Sequence, residues 1–442
     1  MGVALETQRN HRKHPKKLIV EILTRLPVES LLRCKSVCKS WCSIISDPLF
    51  VKSHLKLSSN RNNYANHRII FRNVSRINVK TCNLYNVLYD KPINAIELDY
   101  PLKHLQKSVS IVGSCNGLLC IRVEYDTLFI WNPSTRRSNK LPKCNFEPRS
   151  NWFMSYGFRY DRLTDDYKVV GMPCLTVNAV KHYTQVKIYS LKTGNWKNVG
   201  DFPHRTLLND EGKFSNGAIH WAGRRYLGSL HSWTIVSVGL GNESYGEVPQ
   251  PVHDEGYTNL TLGVLEEKLC VVCDYRGKCA DVWVMKVYGE QYSWTKLVSV
   301  PYLTDPDRYR YSVPLCVSND GKVLLKFGSK LVVYGSKNSL LLEIQNFGTC
   351  HETFTFVESL VSPDSPSGLG DGSFSFGNKL DFYACAFLDD VLALFCQILY
   401  ANYVKCGKAR GEADNKDAVN TARQIFAPVL YLQTKLGFKI AS

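Results

Sequence analysis

Residues 18–57 read LIVEILTRLPVESLLRCKSVCKSWCSIISDPLFVKSHLKL. Leu18, Ile19, Ile22, Leu23 and Leu26 recur at the spacing of one helical face. Pro27 ends that helix, because its ring clashes with the preceding turn and it has no N–H to donate. Leu31 and Leu32 open a second apolar cluster, and Val37, Cys38, Trp41, Ile44 and Ile45 form a third at 3–4 spacing. Asp47-Pro48 has the form of an N-cap followed by proline at the first helical position, so it starts one more short helix carrying Leu49, Phe50 and Leu55. About forty residues cannot bury so many large side chains among themselves, and modules of that size need a staple or a partner. Cys34, Cys38 and Cys42 fall every fourth residue along one helical region, a spacing that suits disulfide geometry poorly. The surplus apolar face therefore points to a partner protein that receives helices in a groove. Each Leu, Ile or Val buried there would contribute roughly 1.5–3 kcal/mol.

The same stretch resembles an F-box of the plant type. The carriers are Glu21-Ile22-Leu23, Arg25-Leu26-Pro27-Val28, Ser30-Leu31-Leu32-Arg33, Val37-Cys38-Lys39-Ser40-Trp41, Ile44-Ile45, Pro48 and Phe50. The resemblance implies docking on a Skp-type linker protein and, through it, on a cullin-based ubiquitin ligase. Ile22, Leu23, Leu26, Pro27, Leu31, Leu32, Val37, Cys38 and Trp41 would then be the linker-binding residues. The competing reading is a helical mini-bundle packed on the rest of its own chain.

The whole chain has 442 residues, a formal net charge of +16 and sixteen cysteines. Apart from the run between Arg9 and Lys17, the basic residues are scattered, which suits solubility or an acidic partner better than nucleic acid. The polar, basic first residues carry no secretory apolar segment, and singly spread cysteines suit reduced thiols in cytoplasm or nucleus. Residues 1–15 read as a flexible basic arm and 16–57 as the helical module.

From Arg68 the apolar period changes from helical to two. A unit then recurs: a strand, a tight turn, a return strand, a turn signal and a closing Leu-Pro, Phe-Pro or Val-Pro. The return strands centre on Trp131, Tyr189, Val238, Met285 and Tyr334, a spacing of about 50 residues that fits propeller blades. Five return strands imply at least five blades. Arg68–Leu98, together with the stretch 340–344, would supply a sixth, so the expected fold is a small all-α module followed by an all-β propeller of five to six blades. An irregular β-sandwich is the rival. The β domain is read as 65–362, and over about residues 110 to 362 it resembles the F-box-associated domain of plant F-box proteins. The resemblance rests on Ser114-Cys115-Asn116-Gly117-Leu118-Leu119-Cys120, Trp131-Asn132-Pro133-Ser134-Thr135, Tyr156-Gly157-Phe158-Arg159-Tyr160-Asp161, Asp166-Tyr167-Lys168-Val169-Val170 and Asn216-Gly217-Ala218-Ile219-His220-Trp221. The architecture is kelch-like without the double glycines of kelch repeats. Residues 363–442 depart from the family ending. They hold an apolar stretch, 380–404, that two central carboxylates, Asp389 and Asp390, make unfit to span a membrane.

Candidate chemistry is sparse. Cys270 and Cys273 sit on a strand at a spacing that sends them to opposite faces, against a shared metal. Asp161, Asp165 and Asp166 read as turn carboxylates, and His220 beside Trp221 as a packed strand pair. Neither a cofactor nor a catalytic group is expected. Tyr302, Asp305, Asp307, Arg308, Tyr309, Arg310 and Tyr311 form one loop rich in the residues that dominate protein recognition, so Tyr302 and Arg308–Tyr311 are candidate substrate contacts. The two resemblances together imply a non-catalytic substrate receptor. A propeller that binds glycan or nucleic acid outside any ligase is the alternative.

Overall fold

The computed structural model describes residues 15–364 except 61–63, 74–77, 90, 106, 147–151, 176–183, 203–205, 209, 228–229, 253–258, 276–277, 302–311, 328–329, 336–338 and 343–349. Two units divide these residues, a helical one up to Leu57 and a β one from Ser58.

The helical unit holds α1 (Pro15–Leu23), α2 (Val28–Cys34), α3 (Lys39–Ser46) and α4 (Pro48–Ser58). After α1 the chain tightens into a turn, Arg25 N donating to Ile22 O and Leu26 N to Leu23 O. Pro27 then caps α2 and its carbonyl accepts from Leu31 N at 3.0 Å, so it separates two helices and begins the second. Cys38 stands in extended backbone at the N-cap of α3. The expected continuous helical row of Cys34, Cys38 and Cys42 is therefore broken between two helices, because Val37 and Cys38 are linker and cap. All three thiols are free. Asp47 Oδ1 accepts from Leu49 N at 2.8 Å and Phe50 N at 3.2 Å, the N-cap read from the sequence.

The β unit is a ring of six blades, each an antiparallel sheet of four strands counted outward from the axis. Blade 2 comprises Val109–Cys115, Leu118–Val123, Thr127–Asn132 and Arg137–Lys140. Blade 3 comprises Trp152–Asp161, Asp166–Leu175, Thr184–Ser190 and Asn195–Phe202. Blade 4 has an inner strand in two pieces, Thr206–Leu208 and Lys213–Ser215, both paired with Ala218–Leu227, followed by Leu230–Gly239 and Tyr245–Val248. Blade 5 comprises Asn259–Leu265, Lys268–Tyr275, Cys279–Met285 and Trp294–Pro301. Blade 6 comprises Ser312–Val317, Val323–Phe327, Lys330–Tyr334 and Ser339–Leu342. The inner strands lie side by side around the ring, and that of blade 6 meets Cys350–Val357.

Blade 1 is made from both ends of the unit. Its three outer strands are His67–Asn73, Val79–Asn83 and Ile96–Glu97, and its inner strand is Cys350–Val357, with His67 opposite Val357. This corrects one expectation. The stretch near Leu340 forms the outer edge of blade 6, and the sixth blade closes with the later strand. The five aromatic or apolar markers do lie on third strands, but at their last or next-to-last positions, not their centres.

The period of two explains the ring. Adjacent residues of one strand feed different interblade cores: Val169 packs between blades 2 and 3, while Val170 packs between blades 3 and 4. Ile69 and Ile70 divide in the same way, and so do Cys270 and Val271. Each sheet is thus apolar on both faces and needs a neighbour on each side, which a sandwich would not provide for every blade. Trp131, Trp221 and Trp294 are buried as expected for core, while Trp196 and Trp283 are only partly covered.

The segment after the closing strand ties blades 1 and 2 together. Asn132, wholly buried, donates through Nδ2 to Ser359 O at 3.0 Å and Val361 O at 2.7 Å, and its Oδ1 accepts from Ser134 N and Thr135 N. Ser359 Oγ donates to Asn116 O at 2.7 Å. Gly117 (φ +83°) is required there, since a Cβ would stand 2.1 Å from Ser359 Oγ and 2.6 Å from Val357 O.

Candidate functional site

In the helical module the expected linker-binding residues separate into two sets. Ile22, Leu23, Leu26 and Leu31 are buried, along with Val28, Cys34, Ile45 and Phe50. Pro27 is exposed, and Leu32, Val37, Cys38 and Trp41 are partly exposed. Leu49 (75% exposed) and Leu57 (54%) add to the uncovered apolar surface. His54 is a member of the interior that the sequence did not disclose. Its Nε2 meets Leu26 O at 2.9 Å, its ring stacks on Phe50, and burial pushes its pKa down, so a neutral imidazole joins α4 to the turn after α1. Burial also pushes the Cys34 thiol up to about 12, which marks it as an inert core group.

The residues weighed for catalysis have structural duties. Asp161 accepts from Leu163 N, Thr164 Oγ1 and Lys168 Nζ, the last at 2.8 Å with both side chains at 10% exposure or less. Burial raises its pKa, but these bonds outweigh it and hold the carboxyl below the usual range. Asp166 accepts from Ser190 Oγ and Lys192 N. His220 is buried between Lys213 O and the Tyr288 hydroxyl, and desolvation lowers its pKa to about 4. Trp221 Nε1 donates to Ser155 Oγ at 2.9 Å. Cys270 and Cys273 are buried in different interblade cores, on opposite faces of their strand as read. Among the described residues no group of His, Cys, Asp and Glu is placed to hold a metal, and no helix is long and apolar enough to cross a membrane.

The expected substrate loop, with Tyr302, Arg308, Tyr309, Arg310 and Tyr311, lies outside the described residues. The sequence did not reveal a cleft of about 490 Å³ where turns of blades 2 to 5 converge. Blade 2 contributes Cys115 and Asn116, blade 3 Arg159–Leu163, blade 4 Phe214–Gly217 and blade 5 Glu267–Leu269, Met285, Lys286 and Tyr288. One wall is built around Arg159. Its guanidinium lies over the Phe214 ring, 4.9 Å from the centroid, and pairs with Glu267 at 3.0 Å. Tyr160 donates its hydroxyl to Asp165, a bond that pushes its pKa up to about 12. Tyr288 stands on His220, which fixes it at the rim. Of its lining, Cys115-Asn116, Arg159-Tyr160-Asp161 and Asn216-Gly217 entered the sequence reading as carriers of the family resemblance, with Asp161 also read as a turn carboxylate.

A half-buried charge network joins other residues of the inner strands. Glu211, in the gap of the blade 4 inner strand, accepts from Tyr156 N and pairs with Arg122 at 3.4 Å. Glu352 accepts from Ile111 N at 2.7 Å and pairs with Arg72 at 2.9 Å. Burial, opposed by Arg122 and reinforced by Glu352, raises the Glu211 pKa to about 7. Both carboxylates accept from inner-strand amides of the neighbouring blade, so the network ties blades together.

Comparison with known proteins agrees with these two units. Residues 68–363 match the family described as F-box associated beta propeller domain, and residues 15–56 match the family described as F-box-like. An F-box/kelch-repeat protein of Arabidopsis thaliana is 34% identical over 362 residues, covering 79% of this chain and 96% of its own. The F-box protein CPR1 of the same plant is 28% identical over 374 residues, covering 78% and 88%. Solved structures overlap loosely. An oligogalacturonate lyase with manganese has 12% identity and a TM-score of 0.35, covering 62% of this chain and 77% of that one, too weak a likeness to bear on function.

Proposed function

This chain belongs to the family of F-box proteins that carry an F-box-associated β-propeller, and from that premise we propose that it is the substrate receptor of a Skp–cullin–F-box ubiquitin ligase. The helical module docks on a Skp-type linker, the linker joins a cullin, and the propeller holds the protein to be ubiquitinated. No catalytic residue is needed on this chain. Holding a substrate lysine beside a charged conjugating enzyme supplies the proximity part of the rate enhancement. Membrane and nucleic acid have no part in this reading, which suits a protein of the cytoplasm or nucleus.

One observation carries the docking half. The module's interior is already filled by Leu23, Leu26, Leu31, Ile45 and Phe50, yet Leu32, Val37, Trp41 and Leu49 remain uncovered or partly so. An apolar rim outside a completed core is what a partner groove accepts. The test is capture of a purified Skp-type linker by the full chain. Leu32→Asp with Trp41→Asp should abolish capture while the module keeps its helical circular dichroism. Leu26→Asp is a poor test, since that side chain is buried and its charge would unfold the module. Undiminished capture by the Leu32/Trp41 variant would remove the docking assignment.

A further inference from the structure

We infer that the cleft formed by the turns of blades 2 to 5 is the substrate-holding site, and that it takes an acidic peptide segment carrying several carboxylates together with an apolar or aromatic side chain. The inference deepens the substrate-receptor reading and rests on it.

Charge is the first ground. The lining contains two carboxylates, and both are engaged, Asp161 by Lys168 at 2.8 Å and Glu267 by Arg159 at 3.0 Å. Arg162, Lys268 and Lys286 also line the cleft, and none of them forms an ion pair among the described residues. Among the described residues the cleft therefore presents three cations outside any ion pair, together with the rings of Tyr160, Phe214 and Tyr288. Arg162 comes from the blade 3 turn, while Lys268 and Lys286 stand at the same end of blade 5, each two residues beyond the Cys270–Val284 pair of its two neighbouring strands. A lysine pair on one blade and an arginine on another, in a cleft lined with aromatic rings, fit a peptide that carries Asp or Glu side chains at more than one position together with a larger apolar one.

Backbone strain is the second ground. In blades 2 and 4 the turn between the first two strands is Asn116-Gly117 and Asn216-Gly217, all four residues at positive φ, the pair such a turn demands. Blade 5 makes the same turn with Glu266 (φ +51°) and Glu267 (φ +63°), residues that resist that backbone. The side chain gained at this cost is the one that fixes Arg159 over Phe214 in the cleft wall. Strain kept where a recognition wall is assembled is the pattern expected of a functional site.

The test uses the full chain with a purified Skp-type linker added. The probe is a fluorescein-labelled twelve-residue peptide of alternating Glu with Tyr and Leu, followed by fluorescence anisotropy. Binding should weaken as salt rises, and should drop about tenfold or more when Gln replaces every Glu in the peptide. The variant Arg162→Glu/Lys268→Glu/Lys286→Glu should lose the Glu peptide to a similar degree. The milder set Arg162→Gln/Lys268→Gln/Lys286→Gln should weaken it less, and both should unfold at the wild-type temperature. Equal binding of the Gln peptide, or unchanged binding by the two variants, would overturn the inference. Tighter binding of a labelled single-stranded RNA twelve-mer through the same three cations would also overturn it, in favour of nucleic acid. Linker capture is read on the same samples. Retained capture with lost peptide selectivity removes only this inference, whereas lost capture with retained selectivity removes only the ligase reading.

Discussion

Replacing Asn132 should loosen the whole propeller, although the residue lies on one strand of one blade. Its side chain makes four hydrogen bonds, two to carbonyls of the segment after the closing strand and two from amides of its own turn. It is wholly buried, so Asn132→Ala leaves those groups with no water to replace the lost partner. At about 1 kcal/mol for each well-formed bond, the loss is about 3 kcal/mol. For a domain of this size that lowers the melting temperature by about 6 °C. Asn132→Asp is the sharper variant. It keeps the acceptor for Ser134 and Thr135 but turns an oxygen toward the carbonyls of Ser359 and Val361. That carboxyl is held protonated, with its folded pKa above its unfolded one, so its penalty grows as pH rises. The defect should therefore be milder at pH 5 than at pH 8. Scanning calorimetry at the two pH values reads both effects, with proteolysis near residue 360 as a local probe. A melting point within about 1 °C of wild type for Asn132→Ala would refute the reasoning.

Three other outcomes are expected. Leu31→Ala, at a buried site in the module, should cost about 2–5 kcal/mol and its helical signal, while Leu49→Ala, at an exposed one, should stay within about 0.5 kcal/mol by circular dichroism melts. Because the Glu211 pKa is raised from 4.5 to about 7, the folded state binds the extra proton, and stability is lost as pH climbs through that window. Glu211→Gln should flatten this slope, gaining about 1–3 kcal/mol relative to wild type at pH 8 compared with pH 5 by urea titration, and an unchanged slope would assign it to other groups. Glu266→Asn with Glu267→Gly, the pair used by blades 2 and 4, should relieve the strained turn and stabilise the propeller by about 1 kcal/mol in thermal melts, since the Glu267 ion pair it gives up is exposed. A lower melting point would mean that the pair matters more than the strain.

Local periodicity made most of this architecture legible. Alternation in Val169-Val170 and in the strand of Cys270 and Cys273 fits the two-sided sheets, and turn signals with closing Leu-Pro, Phe-Pro or Val-Pro marked the repeat. What escaped was set by distance or by brevity. Cys350–Val357 pairs with a strand some 280 positions earlier, and no turn signal links them. The blade 4 inner strand escaped because each of its two pieces is only three residues long. In the helical module, spacing showed that Leu26, Leu31 and Leu32 were apolar together. It could not divide them between the module's own interior and an outward rim, because period tells which residues share a side but not what lies opposite. The cleft was invisible for a related reason. Its cations, Arg162, Lys268 and Lys286, are scattered singly through the sequence and become neighbours only when the blades close.

That closure has an implication for biosynthesis. A ribosome must pass Val357 before the first blade acquires its inner edge, and until then the strand His67–Asn73 offers an unpaired rim of amides and carbonyls. A message cut short upstream of codon 350 would encode an open crescent with two adhesive ends, ready to join its own copies. Completeness of translation is thus checked by topology itself, since only a chain that has been read past its seam can seal itself against aggregation.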